Sequence, residues 1–462
     1  MGQHIEQVSA AAAMDRTRKN EFRKYPTPER DGDRLYPFAA PQSRPSFRIE
    51  KQDTIFAVGS CFARRIETSL QGIGNSVLSA EFDLGPIGQT ANFTPNIFNK
   101  YSIHSITNEL RWAVERDTFP GVDLFYRVGN GAYADCQLGL PRIEFPTGQI
   151  LEFRNRCLDV MARIVEADVV IVTLGYVETW FDHELGLYLN TAPPVSMVNA
   201  DPDRFEFRVL SYSDVLEALE EFYALLLKYR TKPLKMLITV SPVPLITTFR
   251  EMDVLTANAY SKAAQRAAID EFLIGKEGVD YFPSYEAVTL SDPNVAWSRG
   301  DYRHVSPELV DKIMSRVLNN YVAGFEGHSA AGELFNRLAN VRASLRKLVD
   351  TKQYQEAVDL VGQNREIADS NTDILLLEAS SLRGVNLLPE AWTALTRAAA
   401  LSPGRPMPLE RMILLCRHIG RRDEAKVMLA EHARKFPARE EWRLKQDWIH
   451  APAPRLAGHK AE

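Results

Sequence analysis

The fold of this 462-residue chain is decided by the stretch Thr54-Ile55-Phe56-Ala57-Val58-Gly59-Ser60-Cys61-Phe62-Ala63-Arg64-Arg65-Ile66. Four successive apolar residues near its start are typical of a buried parallel strand, and Gly59 then ends the run. After the glycine, Phe62, Ile66 and Leu70 recur at helical spacing. The stretch therefore predicts a strand that turns sharply into a helix.

Ser60 and Cys61 occupy the predicted turn. The first free N–H groups of a helix and its dipole point towards such a turn, where they lower a thiol pKa and can stabilise an oxyanion. We therefore expect the pKa of Cys61 to lie below its ordinary value. A purely structural interpretation stays open, because Ser is a common N-cap and a single Cys is often a core residue.

A second segment with chemical potential is Gly300-Asp301-Tyr302-Arg303-His304-Val305-Ser306-Pro307. Asp301 stands three residues before His304, in a turn-rich stretch that precedes a predicted helix. The carboxylate can therefore orient the imidazole, which would act as a general base.

Together the two segments resemble the GSCFA family, which is named for the run that stands here at residues 59–63. That family is similar to the SGNH/GDSL hydrolases, whose nucleophile follows the first strand and whose Asp-x-x-His lies near the end of the domain. The resemblance covers about residues 50 to 325. It implies an SGNH-like three-layer α/β/α fold with a mostly parallel sheet.

The resemblance places the nucleophile two residues after Gly59, at Cys61, while Ser60 stands where the SGNH motif has Asp. A thiol beside a helix N-terminus and a His forms the nucleophilic anion more readily than a hydroxyl does. Cys61 is therefore our first choice, with Ser60 as the alternative nucleophile or as a hydroxyl donor. His304 would be the base and Asp301 its orienting partner.

The same resemblance indicates donors for the oxyanion and the substrate. The backbone amides from Gly59 to Phe62 are one source. SGNH proteins use a glycine after the second strand, and Gly85 or Gly88 matches that place, in a loop whose alternative interpretation is a plain surface loop. Asn92 and Asn96 add side-chain amides.

The strongest strand pattern runs from Ala167 to Gly175 and is apolar on both faces, as a central parallel strand requires. SGNH proteins continue with Gly-x-Asn-Asp, whereas this chain has Gly175 followed by Tyr, Val and Glu178. Glu178 is a candidate for orienting the substrate or tuning His304, and a solvated loop acid is the alternative. Gly175 and Glu178 both lie near the carboxyl end of the predicted strand, where open α/β sheets bind ligands.

Strand and helix patterns alternate over residues 51–325, which predicts parallel strands with helices on both faces. Residues 1–50 are rich in Pro and Arg, which predicts an extended arm without regular elements. The remaining predicted elements are a strand at 76–80, a helix at 104–116, an irregular or hairpin-like insertion at 120–155, a helical stripe at 158–165, helices at 215–229 and 257–274, and strands at 235–244 and 279–283.

An internal repeat follows the α/β region. The dipeptide Glu-Ala recurs at 356, 390 and 424, at intervals of 34 residues. This period resembles tetratricopeptide repeats and predicts a smaller all-α domain over residues 333–440, which either binds protein partners or caps the first domain. Residues 441–462 form a polar tail, of which we expect residues 451–462 to be disordered.

Composition excludes several classes of function. A net charge of −5 gives no electrostatic reason to expect a nucleic-acid partner. Four scattered cysteines argue against a zinc site and a disulfide framework, and we expect no metal or cofactor. The N-terminus lacks the apolar core of a signal peptide, and no apolar run is long enough to span a membrane. These features favour a cytoplasmic protein.

Two hypotheses for the function remain. The resemblance implies an acyl-ester hydrolase or O-acyltransferase that acts on an acylated carbohydrate or a related hydroxyl compound, as in polysaccharide modification. The alternative is a non-catalytic assembly protein, in which a degenerate SGNH-like domain and the repeats bind protein partners. The spacing of Asp301 and His304 favours the enzyme, and the missing Gly-x-Asn-Asp favours the alternative.

Overall fold

A computed structural model describes residues 5–28, 34–81, 98–129, 131–298, 301–325, 330–369, 371–402, 406–436 and 439–449 of the chain. These residues fall into two compact units, which are divided between Phe335 and Asn336. We call them the first and the second unit.

Among the residues described, the strands all belong to the first unit. In chain order they are β1 Thr54–Gly59, β2 Ser76–Val77, β3 Tyr126–Gly129, β4 Ala132–Asp135, β5 Leu140–Ile143, β6 Val169–Leu174, β7 Glu178–Asp182, β8 Leu187–Leu189, β9 Phe205–Val209, β10 Lys235–Val240 and β11 Val279–Tyr281.

The described residues of the first unit also contain ten α-helices, several of which connect these strands. They are α1 Ala10–Lys19, α2 Cys61–Gly72, α3 Ile103–Val114, α4 Thr147–Ala162, α5 Val195–Ala200, α6 Tyr212–Tyr229, α7 Val254–Phe272, α8 Ser284–Thr289, α9 Pro293–Ala296 and α10 Pro307–Tyr321.

The central sheet has five parallel strands in the order β2-β1-β6-β10-β11. Every residue of β6 is buried, because helices cover both faces of the sheet. One face packs against α3, α6 and α7, and the opposite face against α2 and α10. The predicted α/β fold with a mostly parallel sheet is therefore confirmed.

The strand order determines where a ligand can bind. From β1 the chain adds β2 on one side and later adds β6, β10 and β11 on the other. In an open α/β sheet such a reversal leaves a crevice beyond the carboxyl ends of the two strands that flank it, here β1 and β6. Cys61 follows β1 and Gly175 follows β6, so both lie at this crevice.

Several element predictions need correction. Only Ser76–Val77 is a strand, because residues 78–80 form a 3-10 turn. The hairpin-like interpretation of the insertion at 120–155 is confirmed by the antiparallel sheet β3-β4-β5, whereas α4 begins at Thr147, well before the predicted stripe. The segment after Gly175 continues as β7, in a second antiparallel sheet of order β8-β7-β9.

The N-terminal arm also differs from its prediction, because α1 forms ahead of the prolines. Later in the arm the chain contacts the first unit directly. The backbone N–H of Ala39 donates to Ser291 Oγ at 2.8 Å, and that of Ser46 donates to Asp280 Oδ2 at 2.8 Å. Residues 39–49 are therefore held against the α/β core.

The helices that follow α10 are α11 Ala330–Asp350, which crosses the division between the units, and, in the second unit, α12 Tyr354–Gln363, α13 Arg365–Ala368, α14 Thr372–Gly384, α15 Leu388–Leu401, α16 Pro406–Ile419, α17 Arg422–Lys435 and α18 Glu440–Leu444. Helix α14 packs on α15, α15 on α16, and α16 on α17.

The 34-residue spacing has a structural counterpart in the second unit. Ala357, Ala391 and Ala425 lie near the starts of α12, α15 and α17, and all three are fully buried. A small residue at this place lets a neighbouring helix approach closely. The all-helical character of this region is confirmed, whereas its assignment as a tetratricopeptide array remains a prediction.

In the described part of the chain, none of the helices combines the length and the apolar composition that crossing a bilayer would require.

Candidate active site

The turn after β1 is built around Gly59. Its φ is +127°, in the region that favours glycine, and a Cβ added there would lie 2.1 Å from the carbonyl oxygen of Thr173 in β6. The backbone N–H of Ser60 donates to the same oxygen at 3.0 Å. The glycine therefore lets β1 end in close contact with β6, and α2 can begin at once.

Ser60 is the N-cap of α2. Its hydroxyl accepts a hydrogen bond from the backbone N–H of Phe62 at 3.3 Å and lies 3.1 Å from the hydroxyl of Thr173. The side chain is buried, so both contacts hold the hydroxyl inside the protein. These contacts agree with the structural interpretation of Ser60.

Cys61 is the first residue of α2, and its side chain is exposed, whereas Cys136, Cys157 and Cys416 are buried. Partial desolvation by the surrounding protein raises the pKa of the Cys61 thiol, and this outweighs the nearby cations Arg303, Arg65 and Lys262, which lower it. The prediction that this pKa lies below its ordinary value is therefore wrong. The helix N-terminus does not lower the pKa of the thiol enough to offset the increase that the loss of hydration causes.

Asp301 and His304 form a hydrogen-bonded pair. His304 Nδ1 lies 2.5 Å from Asp301 Oδ2, and the backbone N–H groups of His304 and Arg303 donate to Asp301 Oδ1 at 2.8 and 3.0 Å. These bonds lower the pKa of Asp301 to about 2, so the carboxylate stays charged. A neutral imidazole then carries its proton on Nδ1 and leaves Nε2 available as a base.

The loop that bears this pair lies beside Cys61. Arg303, the residue before His304, is close enough to the thiol for their charges to interact. Between the described residues His304 and Cys61 there is no hydrogen bond, and there is none between His304 and Ser60. The structure thus brings the loop to the crevice while the imidazole remains out of bonding contact with both candidate nucleophiles.

Gly175 and Glu178 are both engaged within the fold. The N–H of Gly175 donates to the carbonyl of Tyr101 at 2.8 Å, so this amide is already used. Glu178 is buried at the start of β7 and accepts hydrogen bonds from Thr248 Oγ1 at 2.7 Å and from the N–H of Phe249 at 3.1 Å. The loop-acid alternative is wrong, because Glu178 fixes the segment that follows β10.

The other predicted oxyanion and substrate-binding residues, Gly85, Gly88, Asn92 and Asn96, lie outside the residues that the structure describes.

Sequence reasoning missed three residues at the crevice. The rings of Tyr101 and Tyr176 stack with centroids 5.1 Å apart, and the charge of Lys262 interacts with Cys61. Lys262 is a charged residue on the buried face of α7, next to the buried Ser261. A lysine on the side of a predicted helix that carries most of its apolar residues was the signal in the sequence that could have found it.

The charged residues that interact with Cys61 in the described part of the chain are all basic. Arg303 and Arg65 interact with the thiol, and neither forms a salt bridge with any residue described. The arrangement can therefore stabilise a thiolate or another anion at the crevice. Among the residues described, no group of three or more His, Cys, Asp and Glu side chains is placed to hold a metal ion.

Residues 54–317 match the sequence model of the GSCFA family, and this range covers more than half of the chain. The matched range contains β1, Cys61 and the loop with Asp301 and His304. No curated protein and no solved structure shows significant similarity to the chain.

Proposed function

The chain belongs to the GSCFA family, and we propose that its first unit is an SGNH-like acyl-ester hydrolase or O-acyltransferase that acts on an acylated carbohydrate or a related hydroxyl compound. Cys61 is the nucleophile, His304 the general acid and base, and Asp301 the residue that orients His304. One observation carries the proposal: an exposed thiol stands at the N-terminus of α2, beside the loop that holds a bonded Asp–His pair.

The reaction has two steps. In the first, the Cys61 thiol gives its proton to His304 and its sulfur attacks the acyl carbonyl, so that a C–S bond forms. The ester C–O bond then breaks as the leaving oxygen takes that proton from the imidazolium of His304. In the second, water or an acceptor hydroxyl loses its proton to His304 and attacks the thioester. The Cys61 sulfur then leaves and takes this proton from His304, and the acid or the new ester is released.

The surroundings of the two candidate nucleophiles favour Cys61 over Ser60. Ser60 is 2% exposed and caps a helix, so attack by its hydroxyl would require breaking both of its hydrogen bonds. The Cys61 side chain already faces solvent and has cations around it. The positive surroundings of Cys61 also suit the oxyanion of the tetrahedral intermediate.

The proposal is tested with p-nitrophenyl esters as generic acyl donors. We expect Cys61→Ala and His304→Gln each to reduce turnover by at least 100-fold, the usual lower range for losing a general base or nucleophile. Tyr302→Ala is the matched control, because Tyr302 lies in the same loop and is 78% exposed. Wild-type rates in the Cys61 variant would remove the assignment of the nucleophile.

A second candidate function concerns the second unit, where a cluster of arginines favours binding of an acidic partner. Arg411 lies on α16, and burial together with the charges of Arg383 and Arg346 lowers its pKa. The guanidinium of Arg411 donates to Ser380, and among the described residues none of the three arginines has a carboxylate partner. Arg383 and Arg411 line a groove together with Met407, Leu414 and Trp442, and Glu410, which also lines it, is paired with Arg439.

Three positive charges without acidic partners, next to apolar side chains, suit an acidic segment of a partner protein. This would be the partner surface of an assembly protein. The probe is a fluorescein-labelled hexaglutamate peptide, followed by fluorescence polarisation. Arg383→Ala should weaken its binding several-fold, whereas Arg397→Ala should not, because Arg397 is paired with Asp369. Equal binding by both variants would contradict the idea.

A further inference from the structure

The second unit contains a buried histidine to which neither candidate function assigns a role. His432 lies in the last turn of α17, and its side chain is fully buried. The centroid of its ring is 5.2 Å from that of Phe436, which follows α17, and 4.9 Å from that of Trp442. Because Trp442 belongs to α18, the imidazole packs directly against this short helix.

Both ring nitrogens of His432 contact charged side chains. Nε2 lies 3.3 Å from Oε1 of Glu410 on α16, and Nδ1 lies 3.5 Å from Nη1 of Arg443 on α18. A guanidinium has donors only, so Nδ1 has to accept the hydrogen bond, and the ring proton is then on Nε2 and is donated to Glu410. The two contacts therefore select the neutral imidazole in one tautomer.

A protonated imidazole does not fit the same surroundings. A proton on Nδ1 would oppose a donor of Arg443 and would place two positive charges about 3.5 Å apart in a buried site. The charged groups that interact with His432 are Glu410, Arg443 and Arg439. Glu410 also accepts a hydrogen bond from Arg439 Nε at 2.8 Å, so its negative charge is shared with another cation.

Helix α18 forms part of the groove in the second unit. Trp442 lines this groove together with Arg383 and Arg411. The next residue, Arg443, donates from Nη1 to the carbonyl oxygen of Phe436 at 2.7 Å. The Trp and Arg side chains of α18 thus hold the helix to the end of α17, and a change in these contacts would alter the groove wall.

We propose that His432 is a pH-sensitive switch: the neutral imidazole holds α18 against α17 and keeps Trp442 in the groove wall, whereas protonation of the ring releases α18. Burial lowers the pKa of His432 from its ordinary value of 6.5, and the contact with Glu410 does not offset this. Below pH 6.5 the released form therefore binds a proton that the packed form does not, so the packed form loses stability as the pH falls and is fully stabilised above this pH. A role of the switch in partner binding rests on the second candidate function, whereas the release of α18 does not.

Hydrogen exchange of the full chain at about pH 7.5 and about pH 5.5 tests the proposal. Exchange is followed in peptides that cover residues 439–449, and each rate is divided by the intrinsic rate at that pH. We expect the protection of α18 to fall by at least about threefold at the lower pH. His432→Gln cannot be protonated and should give the same protection at both pH values. His418→Gln is the matched control, because His418 is an exposed residue of α16, and this variant should keep the wild-type response.

Equal protection of the wild type at both pH values would overturn the proposal, and so would a pH response that persists in His432→Gln. Arg443→Gln gives the decision if the His432 variant fails to fold. It removes the positive charge next to Nδ1 and can still form a hydrogen bond there, so the response to pH should shrink, and an unchanged response would overturn the proposal.

The outcome for α18 is independent of the acidic partner. Release of α18 at low pH in a chain that does not bind hexaglutamate would support the switch and remove the second candidate function. The failure of one is therefore distinguishable from the failure of the other.

Discussion

Gly59→Ala is the most informative perturbation of the fold, because the conformation of Gly59 and its contact with β6 together build the turn that carries Cys61. A φ of +127° is strained for alanine and costs about 1–3 kcal/mol. The new Cβ would also lie 2.1 Å from the carbonyl oxygen of Thr173, which is backbone and part of the sheet. Overpacking of this kind adds about 1–3 kcal/mol.

The expected loss is therefore about 2–6 kcal/mol, a large part of the 5–15 kcal/mol that typically stabilises a domain. Urea unfolding monitored by hydrogen exchange of peptides from β1 and β6 measures this loss in the first unit alone. Such local detection is needed because a two-unit chain need not unfold in one step.

Gly72→Ala is the matched control. Gly72 ends α2, and a Cβ added there would meet no other atom within 4 Å. Alanine in a helix should leave stability unchanged or raise it by up to about 1 kcal/mol. A Gly59→Ala variant within about 0.5 kcal/mol of the wild type would refute the account of the turn, since neither the strain nor the overlap could then be present.

Three further predictions concern single side chains. Iodoacetamide at pH 8 should modify Cys61 first, because the other three cysteines are buried, and equal slow labelling of all four would contradict this. Arg154→Met should cost about 3–5 kcal/mol in urea unfolding, because Asp135 loses its ion pair and Glu109 keeps only the more distant Lys100; a near-neutral result would contradict this. Burial lowers the pKa of His104 from 6.5 to about 4, so between these pH values His104 is protonated in the unfolded chain but not in the folded one. The free energy of unfolding therefore falls by up to about 3 kcal/mol as the pH drops from 6.5 to 4. His104→Asn should flatten that part of the stability–pH curve, and an unchanged slope would contradict it.

The parallel sheet was predictable because its signal is local. Strand β6 is apolar at nearly every position, and a strand buried on both faces requires this pattern. Local signals of the same kind, an apolar run, a glycine and a helical spacing of apolar residues, predict β1, its end at Gly59 and the start of α2. The antiparallel sheets are harder to predict, since strands such as β3 and β5 have only four residues each, which is too short for a clear apolar period.

The candidate site was predictable only in part. The Asp301–His304 spacing is a short-range pattern, and the structure shows the bond it implies. The pKa of Cys61 was predicted in the wrong direction, because its desolvation depends on residues that sequence does not place near it. Lys262 was missed for the same reason: its two carbonyl partners come from loops that meet only in the folded sheet.

The most direct test of the central claim is to find which residue carries the acyl group. The protein is mixed with p-nitrophenyl acetate, the reaction is stopped with acid within seconds, and the peptides are mapped by mass spectrometry. The account predicts an acetyl group on Cys61, and none at that position in Cys61→Ala. Acetyl on Ser60, or no acetyl on either residue while the ester is consumed, would contradict it.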